Sequence, residues 1–302
     1  MLAPLLLLLA QAVAPTPDPI ALSRAALSKA RCGDAVELAP GDYGQVRAPR
    51  VTCPADGPRV WVDASRARMT QLLMYGAHGL DWHGGHVEGI RDRAGVSIDG
   101  STRVAVTGMT VTRALVGFSI LRASDVSVRG SRVQGHRSDG FNVNRAQRVA
   151  LEYNAVIDPD PVRATYDARG KLVKDGDHPD CVQMWSTAGT PPVADVSIRG
   201  MYCRGYMQGI AAFNAGAGGL DRIAVEDNLL DGIGFWHGIT LTEARDSRVV
   251  GNTVRTTPGA LAPNDTTKRI RAWIMIARGE RTLSCGNVVE AIPAGEGTGA
   301  CP

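Results

Sequence analysis

Short stretches of alternating apolar and polar residues recur along this chain at a nearly constant spacing. Val96-Ser-Ile-Asp99 is followed by Phe118-Ser-Ile-Leu121 and then by Phe141-Asn-Val-Asn144, with starts 22 (118 − 96) and 23 (141 − 118) residues apart. Alternation with period 2 is typical of a strand that buries one face. A repeat of this length that holds three short strands is typical of one coil of a solenoid. We therefore predict an all-β chain folded as a single-stranded right-handed parallel β-helix.

The same register continues through the second half of the chain. Later stretches begin at Val182, Ile210, Ile239 and Ile274. Asn154, Asn252 and Asn287 each lie 13 residues after such a start (154 − 141, 252 − 239 and 287 − 274). Because Asn tolerates left-handed backbone and bonds to its neighbours in turns, we interpret this column as structural.

The first residues are typical of a targeting segment. Leu5 to Ala10 is an apolar run, and small residues follow at Ala12 and Ala14. This pattern predicts a cleaved signal peptide at 1–14 and a periplasmic or extracellular protein.

A single β-helix domain is predicted to occupy 15–302. Ile20 to Leu38 has the pattern of a capping helix followed by the first strand. Such a cap is expected because the end of a solenoid exposes unpaired strand edges.

Six cysteines fit the oxidising compartment that a signal peptide implies. They fall into sequence-local pairs, which predict the bridges Cys32–Cys53, Cys181–Cys203 and Cys285–Cys301. No C-x-x-C spacing occurs, so a structural zinc site is not expected.

Charge and hydropathy disfavour two classes of partner. The net charge is only +3 and no dense basic patch occurs, which disfavours nucleic acid. After the first residues, no stretch approaches the roughly 18 apolar residues that span a bilayer, so membrane insertion is not expected.

Polar and ionisable residues stand at one position of successive coils, two residues before each apolar start. This column holds Asp139, Asp180, Gln208 and His237 and ends at Ala272. Neighbouring strands lie about 4.8 Å apart, so these side chains are expected to be contiguous. The outward positions that follow are predicted to extend the column into a binding face: Asn142, Asn144, Gln183, Trp185, Phe213 and Thr240. Asp and Asn also cap turns where strands begin, but two Asp together with an amide, a His and the nearby Arg271 favour a functional groove.

Two carboxyl groups on adjacent coils would lie about 5 Å apart. At that distance Asp139 and Asp180 cannot both ionise cheaply, so either one holds a proton or a cation lies between them. Asp177 would add a ligand, which makes a Ca²⁺ site formed by these three carboxylates one possible outcome.

The coil that carries Asp180 contains an insertion, since 41 residues (182 − 141) separate Phe141 from Val182. The extra segment at 158–177 is predicted to form a hairpin with its turn at 168–171. Inserted loops often mark the binding face of a solenoid. This hairpin would overhang the groove and bring Tyr166, Lys171 and His178 to a substrate.

The coils resemble the pectate-lyase-like β-helix superfamily, which includes polysaccharide lyases, epimerases and polygalacturonase-type hydrolases. The segment from Cys32 to Tyr43 is similar to the opening of many members. Four motifs resemble those of the polygalacturonases in the same order, with Ser138-Asp-Gly-Phe141 similar to Asn-Thr-Asp-Gly, Asp180-Cys-Val182 to the end of Asp-Asp-Cys, His237-Gly-Ile239 to Gly-His-Gly, and Arg269-Ile-Arg271 to Arg-Ile-Lys.

The chain also departs from the polygalacturonase pattern. Pro179 replaces the first Asp of the Asp pair, Trp236 replaces a Gly, and an additional coil separates Cys181 from His237. One of the carboxylates expected of the hydrolase is therefore missing, which makes hydrolysis an alternative interpretation.

The resemblance to lyases and epimerases implies abstraction of the C-5 proton of a uronic acid residue. That chemistry needs a base, a group that neutralises the carboxylate and a proton donor. His237 or His178 would be the base, Arg271 or a cation held by the two Asp residues would neutralise, and Tyr166 would donate.

We therefore expect a secreted, monomeric enzyme that acts on an acidic polysaccharide as a lyase or a C-5 epimerase. Its predicted catalytic residues are Asp139, Asp180, His237, His178 and Arg271. A polygalacturonase-like hydrolase and a non-catalytic glycan-binding or adhesion solenoid are the alternatives.

Overall fold

The computed structural model describes residues 18–213, 218–262, 265–289 and 301. Within these ranges the chain forms a right-handed parallel β-helix, as the repeat predicts. Successive coils add strands to three parallel sheets that run along the solenoid. The predicted signal peptide lies outside the described residues.

The three long sheets contain the following strands. The first sheet contains Ala35–Glu37, Val60–Asp63, His78–His83, Thr102–Thr107, Ser124–Arg129, Gln147–Glu152, Val193–Arg199, Leu220–Glu226, Ala244–Arg245, Arg248–Val250 and Leu283–Cys285. The second sheet contains Gly41–Asp42, Ala67–Met69, His86–Glu88, Thr110–Thr112, Arg132–Gln134, Ala155–Ile157, Tyr202–Arg204, Leu229–Ile233, Thr253–Thr256 and Val288–Val289. The third sheet contains Gln45–Arg47, Gln71–Tyr75, Val96–Asp99, Phe118–Leu121, Phe141–Asn144, Asp180–Trp185, Gln208–Ala212, His237–Thr242 and Trp273–Ala277.

Two antiparallel hairpins project from the coils. One pairs Thr165–Tyr166 with Leu172–Lys174, within the segment 158–177. The other pairs Leu261–Ala262 with Asp265–Arg269.

A helix at Pro19–Lys29 precedes the first coil, in agreement with the predicted cap. Asp18 is its N-cap and accepts a hydrogen bond from the Ile20 amide at 3.0 Å, while proline occupies the first helical position, where no N–H is needed. Leu27 is buried against the core. In the described ranges, no helix is long and apolar enough to cross a membrane.

The predicted disulfides and the asparagine column are both confirmed. The bridges are Cys32–Cys53, Cys181–Cys203 and Cys285–Cys301, and they agree with an oxidising compartment. Asn252 Nδ2 donates to Asn287 Oδ1 at 2.9 Å. Asn228, which the sequence analysis did not include, extends the ladder by donating from Nδ2 to Asn252 Oδ1 at 2.8 Å.

The core consists of equivalent residues stacked from coil to coil. Phe118 pairs with Phe141, which pairs with Val182 on the next coil. The two phenyl rings stack with centroids 5.0 Å apart. The alternation read from the sequence therefore corresponds to the buried face of the third sheet.

A charged column on the outside of the coils alternates in sign. Asp125, Asp195 and Asp246 each accept a bidentate hydrogen bond from an arginine on the following coil. All members adopt positive φ: Arg103, Asp125, Arg148, Asp195, Arg222, Asp246 and Arg281. Each interior residue of this column therefore lies between residues of opposite charge on the two neighbouring coils, which favours the observed register.

On six consecutive coils, a small residue stands where the chain enters the third sheet. This position holds Gly95, Gly117, Gly140, Cys181, Gly209 and Gly238. A Cβ at Gly140 would lie 2.7 Å from the Cys181 carbonyl oxygen of the next coil and 2.5 Å from Val156 Cγ1. The glycines of the Asp139-Gly140 and His237-Gly238 pairs are therefore required by coil spacing.

Replacing Gly140 with alanine is expected to destabilise the fold by about 1–3 kcal/mol, the usual cost of overpacking. The cause is steric, because Gly140 does not have positive φ. Chemical unfolding of the variant checks this. Gly170→Ala is a comparison without crowding, since nothing lies within 4 Å of its would-be Cβ, and its positive φ gives a backbone cost that Gly140→Ala does not have. A Gly140→Ala protein as stable as wild type would contradict the crowding.

Candidate functional site

The third sheet brings the predicted polar column together on consecutive coils. Asp180 and Gln208 are direct strand partners, and the Gly140 amide bonds to the Asp180 carbonyl oxygen at 2.8 Å, which places Asp139 beside Asp180. His237 pairs with Trp273 rather than with the predicted Ala272, because an irregularity between His237 and Ile239 shifts the register.

The two aspartates of the column are buried, contrary to their predicted position on an open groove. Asp139 is 3% exposed and Asp180 is 1% exposed. Asn142 Nδ2 donates to Asp139 Oδ2 at 2.8 Å, and Gln183 Nε2 donates to Asp180 Oδ2 at 3.2 Å. Their side chains lie beneath the amide residues that reach the surface.

Burial controls the ionisation of this pair. It raises the pKa of Asp139 to about 6. Burial, together with the nearby Asp139 carboxyl, raises the pKa of Asp180 well above its ordinary value. Both pKa values are expected to rise, because two neighbouring carboxyl groups in a buried site do not readily carry a negative charge at the same time.

Asp177 is engaged by an arginine rather than by the aspartate pair. Arg137 Nε donates to Asp177 Oδ2 at 2.7 Å, and the Val162 amide donates to the same oxygen at 2.8 Å. Within the described ranges, no group of three or more His, Cys, Asp and Glu side chains could hold a metal ion. The three-carboxylate Ca²⁺ site with Asp139, Asp177 and Asp180 is therefore not assembled.

A pocket of about 300 Å³ lies between the inserted hairpin and the third sheet. Its hairpin wall includes Arg163, Tyr166, Leu172, Asp175, Asp177 and His178. Its floor is formed by Tyr206, Gln208, Phe235, Trp236 and His237. The hairpin and the column members Gln208 and His237 therefore line one pocket.

His237 is the ionisable residue of the column that reaches this pocket. Its Nδ1 lies 3.0 Å from Thr240 Oγ1, and its ring makes edge contacts with Phe213 and Trp273 at centroid distances of 4.8 and 5.2 Å. Burial lowers its pKa below the ordinary value. A neutral imidazole held through Nδ1 is suited to accept a proton at Nε2.

Two further proton-carrying side chains line the same pocket as His237. Tyr166 comes from the hairpin, and His178 follows the hairpin with its Nε2 3.3 Å from Asp175 Oδ1. The pocket therefore combines a histidine on the sheet with a tyrosine from the hairpin and a second histidine.

The aromatic part of the pocket floor was not predicted from the sequence. The Tyr206 and Phe235 rings contact each other at a centroid distance of 4.7 Å, and Phe235 also meets the His178 ring at 6.2 Å. His178, Tyr206 and Phe235 lie two positions before Asp180, Gln208 and His237, respectively, in their coils (180 − 178, 208 − 206 and 237 − 235). Aligning the coils two residues earlier in the sequence therefore identifies Tyr206 and Phe235 beside the predicted His178.

Part of the predicted binding face is exposed and part is not. Trp185 and Phe213 are 36% and 40% exposed and line a common cleft with Gln183. Asn144 is 2% exposed and donates to the Trp185 carbonyl oxygen. Thr240 is fully buried beneath His237. Asn144 and Thr240 therefore position neighbouring groups and do not present themselves to a ligand.

Two further predicted residues lie away from the pocket lining. Arg271 borders a separate surface depression together with Thr256 and Arg269. Lys171 is exposed beside the turn of the hairpin. Neither is among the residues that line the pocket around His237.

No protein-family model and no curated protein matches the chain by sequence. Among solved structures it is similar to the pectate lyase Pel9A, with a TM-score of 0.43 and 13% identity over 92% of this chain and 75% of that chain. A variant of the PL6 family alginate lyase AlyGC gives a TM-score of 0.43 and 14% identity over 87% of this chain and only 36% of the lyase. PfbA, a surface adhesin of Streptococcus pneumoniae, gives 0.35 and 10% over 89% and 87%. These likenesses concern the fold, which by itself does not determine function.

Proposed function

We propose that this protein is a secreted enzyme that abstracts the C-5 proton of a uronic acid residue in an acidic polysaccharide, acting as a lyase or a C-5 epimerase. The observation that carries the proposal is the half-buried His237, which is held through Thr240 and lines one pocket together with Tyr166 and His178. An imidazole can accept a proton only in its neutral form, which burial favours by lowering the pKa of His237.

The hairpin side chains supply the second half of the reaction. In β-elimination, His237 takes the C-5 proton, the C4–O bond breaks as the C4–C5 double bond forms, and Tyr166 or His178 protonates the departing oxygen. In epimerisation, the C-5 carbanion is instead protonated from the opposite face. Tyr166 and His178, which line the same pocket as His237, would supply the proton in either outcome.

Exposed aromatic residues support a glycan as the ligand. Trp185 and Phe213 flank a cleft on the same sheet, and Phe213 contacts the His237 ring. Aromatic side chains present apolar faces on which sugar rings can stack. A polysaccharide that crosses this cleft would continue towards the pocket.

Burial of the acidic pair weighs against the hydrolase alternative. A hydrolytic mechanism needs two carboxyl groups that flank the scissile bond, whereas Asp139 and Asp180 are almost fully buried. They are better suited to supporting Asn142 and Gln183 from below.

The test is to incubate the purified protein with a panel of acidic polysaccharides, with and without Ca²⁺, and to follow three products. A rise in ultraviolet absorbance from the C4–C5 double bond would identify a lyase, and deuterium incorporation at C-5 without that rise would identify an epimerase. New reducing ends without either signal would replace the proposal by hydrolysis. Binding without any product would leave a glycan-binding solenoid.

A further inference from the structure

The proposed reaction needs a cation near the substrate carboxylate, and the pocket contains one that sequence analysis did not identify. Arg163 is the only lysine or arginine among the described residues that line the pocket. Arg271 borders a different depression. The charge that pairs with a uronate must therefore be sought on the inserted hairpin.

The Arg163 guanidinium is fixed over an aromatic ring. Its Cζ lies 3.4 Å from the centroid of the Tyr206 ring, a stacked arrangement that arginine favours. Stacking occupies the face of the guanidinium and leaves its N–H edge available for hydrogen bonds. Such an edge matches the two oxygens of a carboxylate.

The acidic residues of the pocket do not compete for this edge. Asp177 is paired with Arg137 at 2.7 Å, and Asp175 lies 3.3 Å from His178. Both carboxylates thus have partners other than Arg163, so a substrate carboxylate would not have to displace either of them.

The base of the hairpin holds Arg163 in place. The Val162 amide donates to Asp177 Oδ2 at 2.8 Å, and the Val162 carbonyl oxygen accepts from the Asp177 amide at 2.8 Å. A Cβ on Gly176 would lie 2.6 Å from the Ala164 nitrogen, so the two hairpin strands approach closely on either side of residue 163.

The position of the Tyr206 ring beneath Arg163 is also fixed by close packing. A Cβ on Gly234 would lie 2.8 Å from Tyr206 Cδ2, so only glycine allows this approach without movement. The Phe235 ring also contacts the Tyr206 ring, with centroids 4.7 Å apart. Arg163, Tyr206 and Gly234 therefore pack together at the edge of the pocket.

We infer that Arg163 is the carboxylate-binding residue of this pocket and selects glycans that carry uronic acid. The inference rests on the proposed function for the identity of the ligand. It adds the residue that recognises the acidic group, and it locates specificity on the inserted hairpin rather than on the coils.

The experiment compares Arg163→Gln with Arg169→Gln by affinity electrophoresis in gels that contain polygalacturonate or alginate. Arg169 lies in the turn of the same hairpin and does not line the pocket, so it controls for general charge. Loss of a charge-assisted hydrogen bond is expected to weaken binding by Arg163→Gln about 10- to 100-fold. The Arg169→Gln and wild-type proteins should bind alike.

Carboxyl-reduced forms of the same polymers identify the recognised group. Wild-type protein and Arg163→Gln should bind these neutral polymers equally weakly. The inference would be overturned if Arg163→Gln bound the acidic polymers as tightly as wild type does. It would also be overturned if the substitution weakened binding to the acidic and the carboxyl-reduced polymers equally, or if wild type bound a sulfated neutral polymer more tightly than the acidic polymers. Because binding is read without catalysis, a wild-type protein that binds through Arg163 but forms no product would refute the proposed reaction alone.

Discussion

Replacing His237 with alanine is expected to reduce turnover of an acidic polysaccharide about 100- to 10,000-fold, the usual contribution of a positioned general base. The imidazole is the ionisable group of the sheet that reaches the pocket, and its removal leaves no equivalent acceptor at that position. Initial rates of product formation measure the effect. His83→Ala is the matched control, because His83 Nδ1 also lies 3.0 Å from a threonine hydroxyl but on the first sheet.

The pH dependence of the same reaction provides a second measurement. Because burial lowers the pKa of His237 below its ordinary value of 6.5, the neutral base should persist into mildly acidic solution. Activity should therefore decline only below pH 6.5 on the acid side. A His237→Ala protein that keeps wild-type rates and this acid limb would remove His237 from the mechanism.

Replacing His136 with leucine is expected to remove a pH-dependent loss of folding stability. In the wild type this loss amounts to about 3 kcal/mol of unfolding free energy as the pH falls from 6.5 to 4. His136 is fully buried, and both its ring nitrogens lack a hydrogen-bond partner among the described residues. Burial lowers its pKa from 6.5 to about 4. In this pH range His136 is protonated in the unfolded chain but stays neutral in the folded protein. The stability of the wild type therefore falls as the pH falls.

The sign is opposite for Asp139, which makes it a useful companion variant. Burial raises its pKa from 3.8 to about 6, so the stability that it contributes is complete below pH 3.8 and is lost as the pH rises through 6. Asp139→Asn should remove that loss, worth about 3 kcal/mol. The raised pKa of Asp180 acts in the same direction as that of Asp139.

Denaturant unfolding at intervals from pH 4 to pH 8 measures both effects as differences from wild type. The free energy of unfolding of His136→Leu relative to wild type should increase as the pH falls, whereas that of Asp139→Asn should increase as the pH rises. Parallel curves for wild type and His136→Leu would mean that His136 is hydrated or paired in solution.

The sequence alone predicted the coils, their register and the covalent links between them. In a solenoid each residue repeats the environment of its equivalent on the preceding coil, so apolar alternation is amplified over many coils. The same regularity placed the asparagine ladder and brought Asp180, Gln208 and His237 onto neighbouring strands. Cys32–Cys53 and Cys181–Cys203 are 21 and 22 residues apart, close to the length of one coil, so their proximity follows from the repeat.

The identity of the groups at the candidate site depended on tertiary structure. Alternation with period 2 distinguishes the faces of a strand but says nothing about the corners, where the chain turns from one sheet to the next. Asp139 lies just before its strand and Asp180 is the first residue of its strand, and both are buried where the chain leaves such a corner, while Tyr206 and Phe235 come two residues before the next two strands and line the pocket. The sequence pattern therefore predicted, wrongly, that both aspartates are exposed in a groove.

The inserted hairpin shows the same limit most clearly. Its existence follows from the length of one coil, but the stacking of Arg163 on Tyr206 joins residues 43 positions apart (206 − 163) through packing that no repeat encodes. The sequence by itself determined the solenoid, because a repeated pattern specifies its own neighbours. Tertiary structure alone decided which side chains line the pocket, since that depends on how a unique insertion packs against the coils that follow it.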